Sequence, residues 1–217
     1  MAAAQDGFTI SSMPKMTKRR LIVLSLVAVV VLLLPAYIRA YSLAGTSDAP
    51  TLLLRDKVLV NQAAYWVKLP YTQVKLLHIS DPRRGDMVLV RGPDLPVPVF
   101  KRVMGLPGET LEIRENRILI NGQPLPLKPL SGKDFSWVPA SHRMGDSVYD
   151  EDGHWIAFTP GAGEHRNLAP IRLQSDEYFL LGDNRDSSLD CRVWGPLKES
   201  AILGKTILIL HTGPRNK

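Results

Sequence analysis

The chain has 217 residues and 45% hydrophobic content, enough for one domain of ordinary size with a smaller lobe. Its one cysteine, Cys191, excludes an intrachain disulfide, and five scattered histidines without ligand spacing argue against a structural zinc site, so no metal or cofactor is expected. A formal charge of +6 admits nucleic acid or anionic lipid as partner; Lys15, Lys18, Arg19 and Arg20, just ahead of an apolar run, select the lipid bilayer and no nucleic acid.

That run, LIVLSLVAVVVLLLPAYI at 21–38, carries no charge and falls at the short end of the ~17–25 residues a spanning helix needs. Pro35 disfavours a helical Leu34, so the helix is expected to kink or end there. Tyr37 and Tyr41 suit an interfacial belt. The basic cluster outweighs Arg39, which places residues 1–20 in the cytoplasm and 39–217 on the outer face of the plasma membrane. A buried core helix does not fit a segment that is apolar all round. A cleaved signal peptide stays open, because Ser42-Leu43-Ala44 is a small-x-small triplet; a retained single-pass anchor is the reading carried forward.

Beyond the anchor the chain reads mainly as strands. KVLV at 57–60, DMVLV at 86–90, PVFKRVMG at 98–105, TLEI at 110–113, RILI at 117–120, EYFLLGD at 177–183 and AILGKTILIL at 201–210 are rich in branched residues and bounded by turn formers. Glu115-Asn116 and Asn121-Gly122 mark turns. Only YWVKLP at 65–70 reads as weakly helical. Residues 123–175, punctuated by six prolines, fit an inserted lobe of short strands or a mobile loop. The expected fold is mainly β: an antiparallel catalytic core with a smaller inserted β lobe, preceded by one N-terminal transmembrane helix.

Ser47 lies in GTSDA at 45–49, close to G-x-S-x-G but without the second glycine and without a strand-to-helix turn. No histidine stands in a special segment, so a Ser-His-Asp triad fits poorly. A lysine serves as base only where desolvation disfavours its ammonium form. Lys101 sits in VPVFKRVMGLPG, where alternation sends Val99 and Val103 to its own face and Phe100 and Arg102 to the other. Taken alone, an edge-strand lysine fits that position better. LGDNRDSSLDCRVWGPL at 181–197 is by itself an ordered polar loop.

Together these blocks resemble the bacterial type I signal peptidases, membrane-anchored serine proteases with a Ser-Lys dyad. The residues that carry the resemblance are SDAPTL at 47–52, RGDMVLV at 84–90, KRVMGLPGE at 101–109 and GDNRDSSLDCRVWG at 182–195, in the family's order and spacing. The resemblance implies that Ser47 attacks the scissile carbonyl, that Lys101 takes and returns the proton, that Ser188 orients the lysine, and that the Ser47 N–H binds the oxyanion. It implies supporting roles for Gly182, Asp183, Arg185, Asp190 and Arg192. Substrates would be signal peptides of exported pre-proteins with small residues at the first and third positions before the cut. They would lie extended against strand edges, with Leu43, Ala44, Asp48, Leu52, Val99 and Phe100 around them. A monomer is expected.

Departures from the family pattern shape the alternatives. Asp48 stands where the family usually has methionine, a position that helps line the substrate pocket; a carboxylate there narrows specificity or adds a charge beside Ser47. Gly45 stands where many members carry a second serine, an oxyanion donor whose loss elsewhere costs about 2.7–4 kcal/mol. Cys191 replaces a serine. A dedicated pilin or conjugation-substrate peptidase, and a non-cleaving relative that binds signal peptides, are the readings these departures keep open. A self-cleaving repressor lacks any helix-turn-helix before Ser47. SSMPKMT at 11–17 precedes the anchor, lacks the following strand, and is a coincidental match.

Overall fold

Branched residues and turn signals build a chain dominated by antiparallel strands, in the computed structural model that describes residues 17–72, 74–93, 95–130, 147–159 and 164–211. Contacts divide it into residues 1–35 and 36–217. In the first unit, α1 (Lys18–Tyr37) begins; its apolar side chains are exposed on every side, and it is long and apolar enough to cross a membrane. The helix does not stop at Pro35 but continues through Tyr37, completing its last turn around the proline. Within the second unit, the end of that helix is held by Gln62 N–H donating to Tyr37 O and by the Tyr37 hydroxyl donating to Lys68 O.

The strands follow as β1 (Ile38–Ser42), β2 (Lys57–Asn61), β3 (Trp66–Lys68), β4 (Lys75–His78), β5 (Met87–Val90), β6 (Val99–Gly105), β7 (Thr110–Arg114) and β8 (Arg117–Ile120). Next come β9 (Gln123–Pro124), β10 (Leu127–Pro129), β11 (Ser147–Glu151), β12 (His154–Phe158), β13 (Leu168–Arg172) and β14 (Glu177–Leu181). The short α2 (Cys191–Trp194), β15 (Leu197–Lys198) and β16 (Ile202–Leu210) close the chain. A seven-stranded sheet runs in the order β1-β2-β16-β5-β6-β14-β15, with Lys101 on β6. A four-stranded sheet, β13-β7-β8-β9, and a three-stranded one, β10-β11-β12, take up most of the region between β6 and β14. The proline-rich stretch thus splits: β9 and β13 join β7 and β8, while β10 to β12 form their own sheet. Residues 131–146 and 160–163 of that stretch lie outside the described residues.

The weakly helical expectation for residues 65–70 is corrected by β3, which pairs antiparallel with β4 with Trp66 opposite His78. The aromatic and branched pair Trp66-Val67 suits a pleated surface, and the Trp66 ring packs on His78 and beneath the Lys75 ammonium.

Two apolar clusters cover the faces of the large sheet. Val88, Val90, Val103, Leu111, Ile113, Phe179 and Leu181 belong to one, and Leu43, Leu52, Val58, Val60, Met87, Leu89 and Phe100 to the other. With both faces covered, β5 is buried along its whole length and β6 nearly so. That double burial is why these strands read as near-continuous apolar runs, and why a charged side chain inside one must find a partner.

Candidate active site

Lys101 lies on a strand paired on both sides. Val88 of β5 is its cross-strand partner, and β14 pairs with β6 from Arg102 onward. Residue 101 is therefore central and 1% exposed, which removes the edge-strand reading. Alternation sets it on the face of Val99 and Val103, as its sequence surroundings predict. The amine donates to Phe100 O at 2.8 Å and to Ser47 Oγ at 3.0 Å.

Ser47 reaches the amine from a turn that follows β1. Two hydrogen bonds shape that turn, Ala49 N–H to Thr46 O and Leu52 N–H to Asp48 O. Its base is closed where Leu43 N–H donates to Asp56 O, Arg55 N–H donates to Leu43 O, and Asp56 Oδ2 accepts from Leu53 N–H. From the other side Asn184 clamps it: the Asn184 N–H donates to Ser47 O at 3.0 Å and its side-chain amide to Thr46 O at 3.2 Å. Sequence reasoning did not single out Asn184. Its place in the block at 182–195 was the available signal, but its partners are 137 and 138 residues away.

Asp48 is 2% exposed. The Ser47 hydroxyl donates to Asp48 Oδ2 at 2.6 Å, and that oxygen stands 3.7 Å from Lys101 Nζ. Burial is the main cause pushing the Asp48 carboxyl up to about 6, against the attraction of Lys101 and the hydrogen bond from Ser47. A carboxylate beside a serine is visible in the sequence; its hydrogen bond with the Ser47 hydroxyl is not.

The loop after β14 frames this cluster with buried ion pairs. Arg102, on the face of β6 opposite Lys101, grips Asp183 with two bonds, Nε to Oδ1 at 2.7 Å and Nη2 to Oδ2 at 2.5 Å. The same guanidinium donates to Gly85 O and Thr51 Oγ1, so it joins the RGD segment and the Ser47 turn to one carboxylate. Burial alone would raise the Asp183 pKa, but the Arg102 charge and hydrogen bonds outweigh it and hold the pKa below its usual value. Arg185 donates to Gly182 O and pairs with the buried Glu151 of β11. Asp190 caps α2, takes both Nε and Nη2 of Arg192, and accepts the Gly182 N–H at 3.0 Å. β12 secures the same loop, with Ala157 N–H donating to Asp183 O and Arg185 N–H to Ala157 O.

Gly182 stands where no side chain fits. A Cβ there would collide with Ser188 Oγ and lie 2.5 Å from Ser47 O. Gly182→Ala is expected to push the serine turn away from the amine, costing about 1–3 kcal/mol of stability. Serine-directed turnover should fall by more than that stability loss predicts. Urea denaturation alongside kcat on one precursor checks both.

Ser188 is brought to the site, yet among the described residues its buried hydroxyl makes no hydrogen bond of ordinary geometry, and Lys101 is held by Phe100 O and Ser47 Oγ. Beside Ser47 opens a cavity of about 410 Å³ between the end of β1 and the start of β6. Leu43, Ala44, Asp48, Val99 and Phe100 line it, together with Tyr41, Gly45 and Pro98. Leu52 is away from that wall, fully buried in the cluster with Leu43 and Phe100. The arrangement offers a hydroxyl, an amine in contact with it, and a mainly apolar groove between two strand segments: the parts of a peptide-bond hydrolase.

Comparison with known proteins identifies the family. The family model described as signal peptidase, peptidase S26, matches residues 16–211. A signal peptidase I from Pseudomonas aeruginosa is 30% identical over 212 residues, spanning 87% of this chain and 70% of that protein. One from Aquifex aeolicus is 29% identical, spanning 90% and 85%. Signal peptidase I V of Bacillus subtilis is 32% identical, spanning 76% and 80%.

Proposed function

Because the chain belongs to the signal peptidase, peptidase S26, family, we propose that it removes signal peptides from exported pre-proteins, with Ser47 as nucleophile and Lys101 as general base. The observation that carries this reading is the 3.0 Å contact between Lys101 Nζ and Ser47 Oγ at the head of the groove. Ser47 Oγ attacks the scissile carbonyl as its proton passes to Lys101, and the Ser47 N–H receives the developing oxyanion. Lys101 then gives the proton to the leaving amine, and the acyl-enzyme is released by water that loses its proton to the same amine. The substrate adds as an extended strand between the segment after β1 and the start of β6, where apolar walls accept small side chains. α1 anchors the enzyme, and the basic cluster before it sets the N-terminus in the cytoplasm and the groove outside.

Asp48 lines the groove beside Ser47 and changes the shape of its wall there, which favours a narrower substrate set than a general peptidase has. The contact of Ser47 with Lys101 speaks against a relative that binds without cutting. The test is the full chain in detergent micelles with synthetic precursors differing at the last residue before the cut. One cut after alanine or serine is expected, with valine or leucine there lowering kcat/KM by about 100-fold or more through steric exclusion. Intact precursors throughout would overturn the reading.

A further inference from the structure

Ser47 Oγ sits between two groups rather than facing one. It donates to Asp48 Oδ2 at 2.6 Å and accepts from Lys101 Nζ at 3.0 Å. The three form one chain, N–H···O–H···O, whose ends are 3.7 Å apart. In this order the amine presents a hydrogen to the serine, whereas a base must present a lone pair. Both ends are almost wholly shielded, at 1% and 2% exposure, and Asp48 Oδ1 is buried with no hydrogen-bond partner among the described residues. A charged pair so placed carries desolvation on both partners, which a neutral pair avoids.

We propose, resting on the peptidase reading above, that Asp48 is a catalytic residue that stores the proton Lys101 must shed. The amine passes one proton to Ser47 Oγ while the hydroxyl passes its own to Asp48 Oδ2. One N–H and one O–H bond break; one O–H bond forms on Ser47 and one on Asp48. The net charge of the three groups is unchanged and no proton goes to solvent. Lys101 is left neutral, its lone pair facing the new hydrogen of Ser47, and the Asp48 hydroxyl donates to Ser47 Oγ. Attack then returns the Ser47 proton to the amine.

The setting suits the role. The groups acting on Asp48 are Lys101 and Arg102 of β6 and Asp183 of the loop after β14. Arg102 and Asp183 are bound to each other, and Arg185 with Glu151, and His154, stand behind them. Burial is the main cause that disfavours a negative charge on Asp48, the second carboxylate adds to it, and together they outweigh Lys101, Arg102 and the Ser47 hydrogen bond, so the carboxyl is pushed up to about 6.

The test is kcat/KM against pH for the full chain in micelles, cutting a synthetic precursor, as wild type, Asp48→Asn, Asp48→Met and Asp48→Glu. Circular dichroism melts confirm which variants fold. The wild type loses activity in acid only when carboxyl and amine are both protonated. In the Asn and Met variants the amine must release its proton to solvent. Their acid limbs are expected about one pH unit or more higher, with activity near pH 7 down about tenfold and an alkaline plateau retained. Asp48→Glu is expected to restore the wild-type limb in part. An acid limb that stays put or moves lower in folded Asn and Met variants overturns the proton store while the peptidase reading stands. So does a uniform loss at every pH. A wild type that cuts no precursor overturns both.

Discussion

Lys101→Met is expected to lower precursor cleavage by about 10²–10⁴-fold while the protein still folds. Methionine matches the lysine stem in length and is at home in an apolar wall, so the 1%-exposed position is filled without a charge to satisfy. What disappears is the group 3.0 Å from Ser47 Oγ. Ser47→Ala should cost as much or more, and the double variant little beyond the worse single one, because nucleophile and base act as a unit. The measurement is single-turnover cleavage of one precursor by the full chain in detergent, with a thermal melt to show that the variants are folded. Full activity in Lys101→Met would remove the base from the mechanism. Full activity in Ser47→Ala would remove the nucleophile.

Asp183→Ala should be the most damaging change for stability, by about 3–5 kcal/mol, because it leaves the Arg102 guanidinium buried and unpaired. The melting temperature is expected to fall on the order of 10 °C. The pH dependence has a definite sign. The folded-state pKa of Asp183 lies below its ordinary value of 3.8, so the folded chain holds that proton less tightly than the unfolded one. The resulting stabilisation is fully present above about pH 4 and is lost as pH falls through the depressed folded value. Denaturant titrations at pH 7 and pH 3 should therefore show a large gap between wild type and Asp183→Ala at pH 7 and a smaller one at pH 3. An Arg102→Met, Asp183→Leu double variant should recover part of the loss, since two apolar side chains replace two desolvated charges. An Asp183→Ala protein as stable as wild type would show that the pair has no net worth.

Much of the molecule is legible in the sequence. The main strands were readable because branched residues run between turn formers, and the apolar segment at 21–38 announced a helix of spanning length. Lys101 was the instructive residue. Its flanking valines were visible, but an exposed edge and a buried centre produce the same alternation. Only pairing with β5 on one side and β14 on the other decides between them. The weak helix at 65–70 failed for a related reason: the short β3 is stabilised by β4 across the hairpin, and a local pattern holds no record of that partner.

The sequence by itself determined the family pattern, the order of its blocks, the apolar helix, and which residue types could perform acyl transfer. These follow from composition and local periodicity, which act over a few residues. The tertiary structure decided what each group faces: Ser47 between an amine and a carboxylate, Arg102 locked to Asp183 across 81 residues, Asn184 clamping the serine turn, and Leu52 in the core instead of the groove. Hydrogen bonds and ion pairs depend on ångström-scale distance and on exclusion of water, and both are set only when remote strands close on one another.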